Sequence, residues 1–328
     1  MVEPAGTLGV KVGIVGAGIA GLSCARRLAR HGFAVALFDK GKRPGGRLSS
    51  LQLDDRAWDF GAPYLRQGSG AFAAQVMAWR AAGVLAPWPS GPAGALVGVP
   101  AMASLVTALA EECAVRFGTQ ITRLGRAGGR WTLAGPDVAA GPFDMVVLAI
   151  PAEQAAPLLS LHDLAMAREA AAIRSRPCWT VMAAFAGPVA APDVLSDAAP
   201  LAWAARESTK PGRAAGERWV LQADAAWSAA HLDHDAPPVA EALLAAFAGR
   251  CAAPLPATTF LKAHRWRFAV PHGHTAGPLW NPRLGLGACG DWCAGPDIAG
   301  AWTAGHDLAG QVIAAHADAR ASQAVLAR

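Results

Sequence analysis

The stretch VKVGIVGAGIAGLSCARRLARHGFAVALFDK, residues 10–40, decides the fold. Its apolar start up to Val15 predicts a β-strand, and the apolar residues that recur at helical spacing after it predict a helix that ends at Gly32. The next apolar run, residues 34–38, predicts a second strand. A strand, a helix and a strand in this order form a βαβ unit, whose two strands lie parallel and side by side in one sheet.

A glycine-rich turn joins the first predicted strand to the helix. Its spacing is GxGxxG: the first glycine allows the tight turn, the second lets a pyrophosphate approach the backbone, and the third lets the helix pack on the strand. The helix N-terminus then offers free N–H groups to the anion. Asp39 ends the second strand, where its carboxylate can accept hydrogen bonds from adenosine ribose hydroxyls. The predicted dinucleotide site comprises Gly16, Gly18, Ile19, Ala20, Gly21 and Asp39.

A second match to the same spacing, residues 285–290, does not predict another nucleotide site. Its glycines lie within an apolar strand pattern, and the next helical pattern begins only at about Asp297. The pattern requires a helix directly after the glycine turn.

The composition excludes several classes of protein. Of 328 residues, 53% are hydrophobic and only 16% charged, which excludes a disordered chain. The net charge is +5, but the basic residues are scattered, so we expect no nucleic-acid partner. Residues 81–110 are uncharged yet interrupted by prolines, which predicts no membrane span. The absence of an export signal and of CxxC pairs predicts a cytoplasmic protein with free thiols and no metal site.

The rest of the chain predicts two sheets. The apolar run 145–150, stopped by Pro151, is typical of a buried parallel strand that returns to the first sheet. From about residue 165, alternating segments rich in tryptophan predict an antiparallel sheet. The segment HGHTAGPLWNP, residues 272–282, is expected to be a loop, followed by a strand at 284–288 and a closing helix at 298–315.

Two further motifs favour FAD over NAD as the dinucleotide. In Gly45-Gly46-Arg47, a glycine doublet followed by arginine can place backbone and a guanidinium beside a pyrophosphate. Near the C-terminus, Gly290-Asp291 ends a strand, and the carboxylate can hold ribityl hydroxyls or the pyrophosphate side. The last helix, which contains Ile298, Ala299 and Trp302, can direct its N-terminus at the flavin N1–C2=O edge, which becomes negative on reduction.

These observations define the expected fold class: α/β, with a Rossmann-like FAD-binding domain built on a parallel sheet and a mostly antiparallel β-sheet substrate domain with helices. We expect the FAD-binding domain to be discontinuous, over residues 1–70, 98–160 and 281–328. Residues 71–97 and 161–280 form the expected substrate domain, and the flavin ring lies at the junction.

Aromatic residues are the candidates for the substrate pocket. The tryptophans considered are Trp203, Trp219, Trp227 and Trp266 of the expected substrate domain, where an indole can stack on a planar ring or pack in the core. Trp266 is the first candidate and Trp203 the second. His264 shares a strand face with Trp266, so it either lines the pocket or is a hydrogen-bonded core histidine.

The chain resembles the bacterial renalase-like branch of FAD-dependent proteins with the amine oxidase fold. The resemblance extends from about residue 10 to 315. It rests on Gly16 to Gly21, Asp39-Lys40, Gly45-Gly46-Arg47, Asp59-Phe60-Gly61-Ala62, Pro177-Cys178-Trp179, His264-Arg265-Trp266 and Cys289-Gly290-Asp291-Trp292.

The resemblance implies an oxidoreductase with non-covalent FAD that oxidises dihydronicotinamide dinucleotides carrying the hydride at ring position 2 or 6. Hydride passes to flavin N5, NAD(P)+ leaves, and dioxygen reoxidises the flavin to give hydrogen peroxide. It adds Lys40, Asp59, Gly61 and Ala62 to the cofactor residues. Such a reaction needs positioning more than acid–base groups, and Trp266, His264, Trp203 and Tyr64 are the candidate catalytic residues.

Three positions depart from the family pattern: Pro63 replaces the usual glutamine, Arg66 the usual threonine and Ala299 a frequent glutamate. There are therefore two alternatives. One is a flavin amine oxidase or desaturase that acts on another apolar substrate, and the other is a non-catalytic FAD-binding protein. Amine oxidases of this fold commonly hold the amine between two tyrosines, and Tyr64 is the only tyrosine of this chain. A two-tyrosine cage is thus excluded, although a tryptophan can take one place.

Overall fold

The structure, a computed structural model, describes residues 9–326 of the chain. The strands are β1 Lys11–Val15, β2 Ala34–Phe38, β3 Leu51–Leu53, β4 Arg56–Trp58, β5 Leu85–Pro87, β6 Leu96–Gly98, β7 Val115–Arg116, β8 Arg123–Ala127, β9 Arg130–Gly135, β10 Val138–Phe143, β11 Met145–Leu148, β12 Arg174–Phe185, β13 Val194–Ala198, β14 Leu201–Arg206, β15 Glu217–Ala223, β16 Thr258–His272, β17 Leu279–Asn281 and β18 Leu286–Ala288. The helices are α1 Ile19–Arg30, α2 Gly70–Ala81, α3 Ala103–Ala110, α4 Ala152–Ser160, α5 Leu164–Ala172, α6 Ala225–Ala230, α7 Ala236–Ala248, α8 Asp291–Ala294 and α9 Ile298–Leu326.

The first sheet contains the predicted βαβ unit. Its strand order is β17-β18-β11-β1-β2-β7, and β1 lies in the centre, parallel to both β2 and β11. Strand β11 is fully apolar because it is covered on both faces, as expected for an inner parallel strand. This sheet confirms the predicted α/β class.

Close backbone approach sets the position of α1 and α9. Gly16 has a φ of +103°, which lets the chain turn sharply after β1. A Cβ atom on Gly21 would lie 2.0 Å from the Gly16 carbonyl oxygen, and one on Gly305 would lie 2.0 Å from the Ala20 carbonyl oxygen. Helix α1 therefore packs directly on the glycine turn, and α9 packs directly on α1.

A second sheet is antiparallel, with the order β13-β14-β15-β12-β16, which confirms the expected antiparallel sheet. One face is covered by α7 through Val239, Leu243 and Phe247. The opposite face packs against the β3–β4 ribbon and against Phe60, which follows β4. A smaller antiparallel sheet, β10-β9-β8, packs on the first sheet at Gly13.

Two local expectations were wrong. The segment expected to be a loop contains β17, which pairs antiparallel with β18; three residues are too few to show an alternating pattern. A helical turn, α8, begins at Asp291 directly after Gly290, although the sequence predicted no helical pattern before Asp297. With four residues, α8 is too short to reveal a helical period.

The segment 71–97, expected in the substrate domain, contains most of α2 and the β5–β6 ribbon. The buried side chains of α2 and of the β5–β6 ribbon, among them Phe72, Trp79 and Trp88, join the hydrophobic core of the first sheet.

Within residues 9–326, every helix is too short or too polar to cross a bilayer. The same part of the chain contains no group of three His, Cys, Asp or Glu side chains suited to a metal ion.

Candidate active site

The glycine turn after β1 presents uncapped backbone. Gly18 is the N-cap of α1, no side chain caps this helix, and its first turn contains no acidic residue. A Cβ atom on Gly18 would meet nothing within 4 Å, whereas one on Gly46 would lie 3.7 Å from the Gly18 Cα. Two glycine backbones thus face each other beside open space and free N–H groups, which is the arrangement that a pyrophosphate requires.

Asp39 links this turn to the end of β2. Its Oδ2 accepts a hydrogen bond from the Ala17 N–H at 2.6 Å, and its Oδ1 accepts one from the Gly41 N–H at 2.7 Å. Each carboxylate oxygen can accept a further bond, so the predicted contact with ribose hydroxyls is compatible with this geometry. Lys40 is exposed next to it.

Arg47 and Asp291 form a bidentate ion pair. The Arg47 Nη1 lies 2.6 Å from Asp291 Oδ2, and Nη2 lies 2.7 Å from Oδ1. Nη1 also donates to the Ala269 carbonyl at 3.1 Å, and the Arg47 carbonyl accepts from the Ala62 N–H at 2.9 Å. A Cβ atom on Gly61 would lie 2.0 Å from that carbonyl. The pair therefore brings together three motifs that are far apart in the sequence.

Arg47→Met is expected to destabilise the protein by about 2–3 kcal/mol, because it leaves the buried Asp291 carboxylate without its partner. Asp291→Asn should cost less, since the Arg47 side chain is 30% exposed and that of Asp291 only 8%. Urea unfolding of both variants and the wild type measures this difference. Equal losses in the two variants would contradict the asymmetry.

The loss of folding stability caused by Arg47→Met should also depend on pH. Burial raises the pKa of Asp291 above its ordinary 3.8, and Arg47 opposes this shift. A raised pKa means that the carboxyl supports folding most below its unfolded value, and that this support is lost as the pH rises through the folded pKa. Without Arg47 the folded pKa rises further, so the destabilisation should be larger at about pH 8 than at about pH 5.

Asp59 lies in a buried charge cluster. Its carboxylate contacts Lys210 Nζ at 3.0 Å and Arg213 Nη2 at 2.5 Å, and it accepts from Ser50 Oγ at 2.6 Å and the Met102 N–H at 2.9 Å. Burial alone would raise the pKa of Asp59, but Lys210 and Arg213 hold it well below its usual range. Its carboxylate is thus fully engaged. A direct contact between Asp59 and the cofactor stays a prediction.

One row of side chains crosses the second sheet. Trp203 on β14 is opposite Gln222 on β15, Gln222 is opposite Thr180 on β12, and Thr180 is opposite His264 on β16. Cross-strand partners share a face, so all four point toward the segment after β4. Gln222 Nε2 donates to the Gly61 carbonyl at 2.6 Å. The row thus faces the loop that Arg47 also holds.

Aromatic rings surround this row. Phe60 stacks on Trp266 with ring centroids 5.3 Å apart, and Trp266 Nε1 donates to the Phe60 carbonyl at 2.8 Å. His264 lies 4.3 Å from the Trp266 ring, as its place on the same face predicted. Burial, and to a lesser degree Lys262, lowers the pKa of His264, so this imidazole is neutral at neutral pH.

Tyr64 and Trp203 form a second aromatic pair, with centroids 5.6 Å apart and planes tilted by 40°. The Arg66 guanidinium lies 5.3 Å above the Tyr64 ring, so this departure from the family pattern adds a cation beside the pair. Trp203 Nε1 is buried and has no hydrogen-bond partner among the described residues. A buried donor of this kind favours a ligand with an acceptor atom.

The first turn of α9 and the Trp302 side chain, one turn later, have different neighbours. Ile298 and Ala299 form the N-terminal turn, and Ala299 Cβ would lie 3.8 Å from a Cβ atom on Gly68. Trp302, one turn later, stacks on His306 at 4.6 Å and packs against Phe72. Its ring therefore lies between helices α1, α2 and α9.

Sequence reasoning missed Gln222, Thr180 and Phe60. Gln222 and Thr180 occupy alternating positions of predicted strands, and their polarity between apolar neighbours was the available signal. Phe60 belongs to the DFGA motif, which does not reveal its partner. Its contact with Trp266 joins residues 206 positions apart, which local patterns do not encode.

Comparison with known proteins gives two family matches. A model for an NAD(P)-binding Rossmann-like domain matches residues 14–78, and a model for flavin containing amine oxidoreductases matches residues 63–313. The zeta-carotene-forming phytoene desaturase of Myxococcus xanthus is 49% identical over 57 residues, which are 17% of this chain and 11% of that protein. This match therefore spans only a small part of the relative.

Solved structures share the fold at low identity. Cyclohexylamine oxidase from Brevibacterium oxydans superposes with a TM-score of 0.74 at 12% identity, over 93% of this chain and 99% of that one. A fatty acid isomerase from P. acnes, which produces CLA, superposes with a TM-score of 0.61 at 13% identity, over 94% and 99% of the two chains. At these identities the likeness concerns the fold alone.

Proposed function

Because the chain belongs to the family of flavin containing amine oxidoreductases, and its cofactor is accordingly FAD, we propose that it is a renalase-like oxidase of isomeric dihydronicotinamide dinucleotides. Its substrates in this proposal are NAD(P) reduced at ring position 2 or 6, and its products are NAD(P)+ and hydrogen peroxide. FAD is bound without a covalent link.

The residues that we propose to hold FAD are those whose geometry in the structure fits a bound dinucleotide. The open backbone at Gly18 and Gly46 and the first turn of α1, with Ile19 and Ala20, would hold the pyrophosphate. Asp39 would accept bonds from the adenosine ribose. The loop of Gly61 and Ala62, held by Arg47 and Gln222, and the N-terminal turns of α8 and α9 would surround the rest. Bound FAD supplies a two-electron acceptor and a route from the substrate to dioxygen.

The observation that carries the substrate class is the aromatic face of the second sheet. Trp203 and Tyr64 on one side, and Phe60 with Trp266 on the other, offer flat apolar surfaces to a planar ring. The unpartnered Trp203 N–H suits the carboxamide oxygen of a nicotinamide. The neutral His264 adds a hydrogen-bonding group without a charge, which suits a reaction that moves a hydride and needs no proton removed first.

Steady-state assays under air test the proposal. The purified enzyme is expected to convert 2- or 6-dihydro-NAD(P) into NAD(P)+ and to release one hydrogen peroxide for each NAD(P)+. Trp203→Leu should slow this conversion by about tenfold or more while FAD stays bound, because a stacking surface and a donor are lost.

Trp227→Leu is the matched control, since Trp227 stacks on His231 and packs with the opposite face of the same sheet. It should leave the rate nearly unchanged. The absence of NAD(P)+ with both isomers, or equal slowing in the two variants, would refute the substrate assignment.

Amine oxidation is the second candidate function, favoured by the Tyr64–Trp203 pair. One tyrosine and one tryptophan can flank a neutral amine in place of two tyrosines. Cyclohexylamine and benzylamine in the same assay distinguish the candidates: peroxide and ammonia from amines alone support this second function. Flavin that none of these compounds reduces faster than free flavin indicates a non-catalytic FAD-binding protein.

A further inference from the structure

A small basic cavity lies between α1, α2, α3 and α9. Its volume is about 250 Å³, and its lining includes Ser23, Arg26, Arg27, Arg30, Trp302 and His306. The three arginines follow Ser23 at helical spacing, so one face of α1 carries all of them. The stacked rings of Trp302 and His306 form an aromatic wall opposite.

The cavity has an excess of positive charge. Glu112 Oε2 lies 2.6 Å from Arg26 Nε and 3.6 Å from Arg30 Nη2, and it is the only carboxylate among the described residues that pairs with these guanidiniums. Arg27 donates to the His306 carbonyl at 2.8 Å, which leaves its charge without a counterion. Gln75 Oε1 accepts from Arg26 at 3.0 Å. Among the described residues, two of the guanidiniums thus share one carboxylate and the third has none.

The chemistry and size of the cavity select its ligand. Arginine forks match the oxygens of a phosphate and bind them through charge-assisted hydrogen bonds. The volume lies below the roughly 300–1,000 Å³ of sites for drug-sized ligands, so it suits a phosphate group and at most one ring. Ser23 Oγ donates to the Trp302 carbonyl and fixes α1 against α9, so the walls are preformed.

We propose that this cavity is a second anion site, which binds inorganic phosphate or a small phosphate monoester through Arg26, Arg27 and Arg30. It is distinct from the glycine turn at Gly18. Arg26 to Arg30 follow Gly18 by 8 to 12 residues, roughly 12–18 Å along the helix axis. The FAD pyrophosphate and the proposed ligand therefore occupy opposite ends of α1.

Calorimetric titration of the FAD-loaded enzyme with inorganic phosphate, at ionic strength matched with chloride, tests the proposal. The wild type should bind with one saturable site. Arg27→Gln and Arg30→Gln should each weaken binding about tenfold or more through the loss of a charge-assisted contact. Glu112→Gln should tighten binding about threefold or more, because Arg26 and Arg30 lose their competing carboxylate.

Arg168→Gln, which removes an exposed arginine of α5, is the matched control and should leave the affinity unchanged. The opposite signs expected for Arg30→Gln and Glu112→Gln separate ligand binding from a purely structural role of the arginines. Both side chains are about half exposed, so these variants keep the test valid even if Arg27→Gln unfolds.

Phenyl phosphate in a parallel titration separates two sources of the phosphate. Tighter binding than inorganic phosphate assigns the site to an aromatic monoester whose ring packs on the wall of Trp302 and His306, and equal binding assigns it to the free ion. No saturable binding up to about 10 mM of either probe, or the same affinity in the wild type and Arg30→Gln, would overturn the proposal.

Discussion

Gly18→Val is expected to yield a folded protein that has lost FAD. A Cβ atom at Gly18 meets no protein atom within 4 Å, so the fold itself accepts a side chain there. The φ of −74° is also open to valine, and the weaker N-cap should cost less than about 1 kcal/mol. The isopropyl group would occupy the space in which the pyrophosphate meets the backbone, so FAD affinity should fall about 100-fold or more.

The visible absorption of flavin after purification and its recovery on adding FAD measure this loss, and circular dichroism verifies the fold. Gly249→Val is the matched control, because Gly249 has an ordinary φ of −64° and its added Cβ would make only normal contacts. Full flavin occupancy in Gly18→Val would show that the pyrophosphate does not lie at this turn.

Lys210→Met should cause the largest loss of stability, about 3–5 kcal/mol, because it removes a buried cation from between two buried carboxylates. Lys210 Nζ lies 3.0 Å from Asp59 Oδ2 and 2.5 Å from Glu207 Oε1, and all three side chains are fully buried. Urea unfolding followed by tryptophan fluorescence measures the loss. Lys262→Met, at an exposed lysine of β16, is the control and should change stability by less than about 0.5 kcal/mol.

The loss of stability caused by Lys210→Met should become smaller as the pH falls. Burial raises the pKa of Glu207, whereas Lys210 and Arg213 hold that of Asp59 low. Glu207 thus supports folding most at low pH, and Asp59 supports it above its unfolded value of 3.8. Without Lys210 both folded pKa values rise, so protonation relieves the unpaired charge. A loss that stays constant between about pH 8 and about pH 5 would contradict this account of the cluster.

Local pattern predicted the first βαβ unit well. The second strand was expected at residues 34–38 and is observed there, and the predicted helix end at Gly32 lies two residues beyond the last residue of α1, Arg30. These elements form between sequence neighbours, so apolar spacing and glycine chemistry determine them. The strand 145–148 was also predictable, because burial on both faces makes it uniformly apolar.

The contacts of the candidate site were harder to predict from the sequence, because the residues that contact each other there are far apart along the chain. The DFGA motif does not reveal that the partners of Asp59 are Lys210 and Arg213, which lie 151 and 154 positions away. Arg47 and Asp291 were each expected beside the cofactor, but their pairing with one another depends on the return of the chain to the first sheet. The row from Trp203 to His264 depends on strand register, which alternation alone does not fix.

Anaerobic rapid mixing of the FAD-loaded enzyme with 2- and 6-dihydro-NAD(P) tests the proposed function most directly. The account predicts that at least one isomer bleaches the visible flavin band in a single turnover, with one NAD(P)+ formed per flavin and full recovery of colour on admitting air. Flavin that stays oxidised with every isomer, while an amine reduces it, would contradict the account.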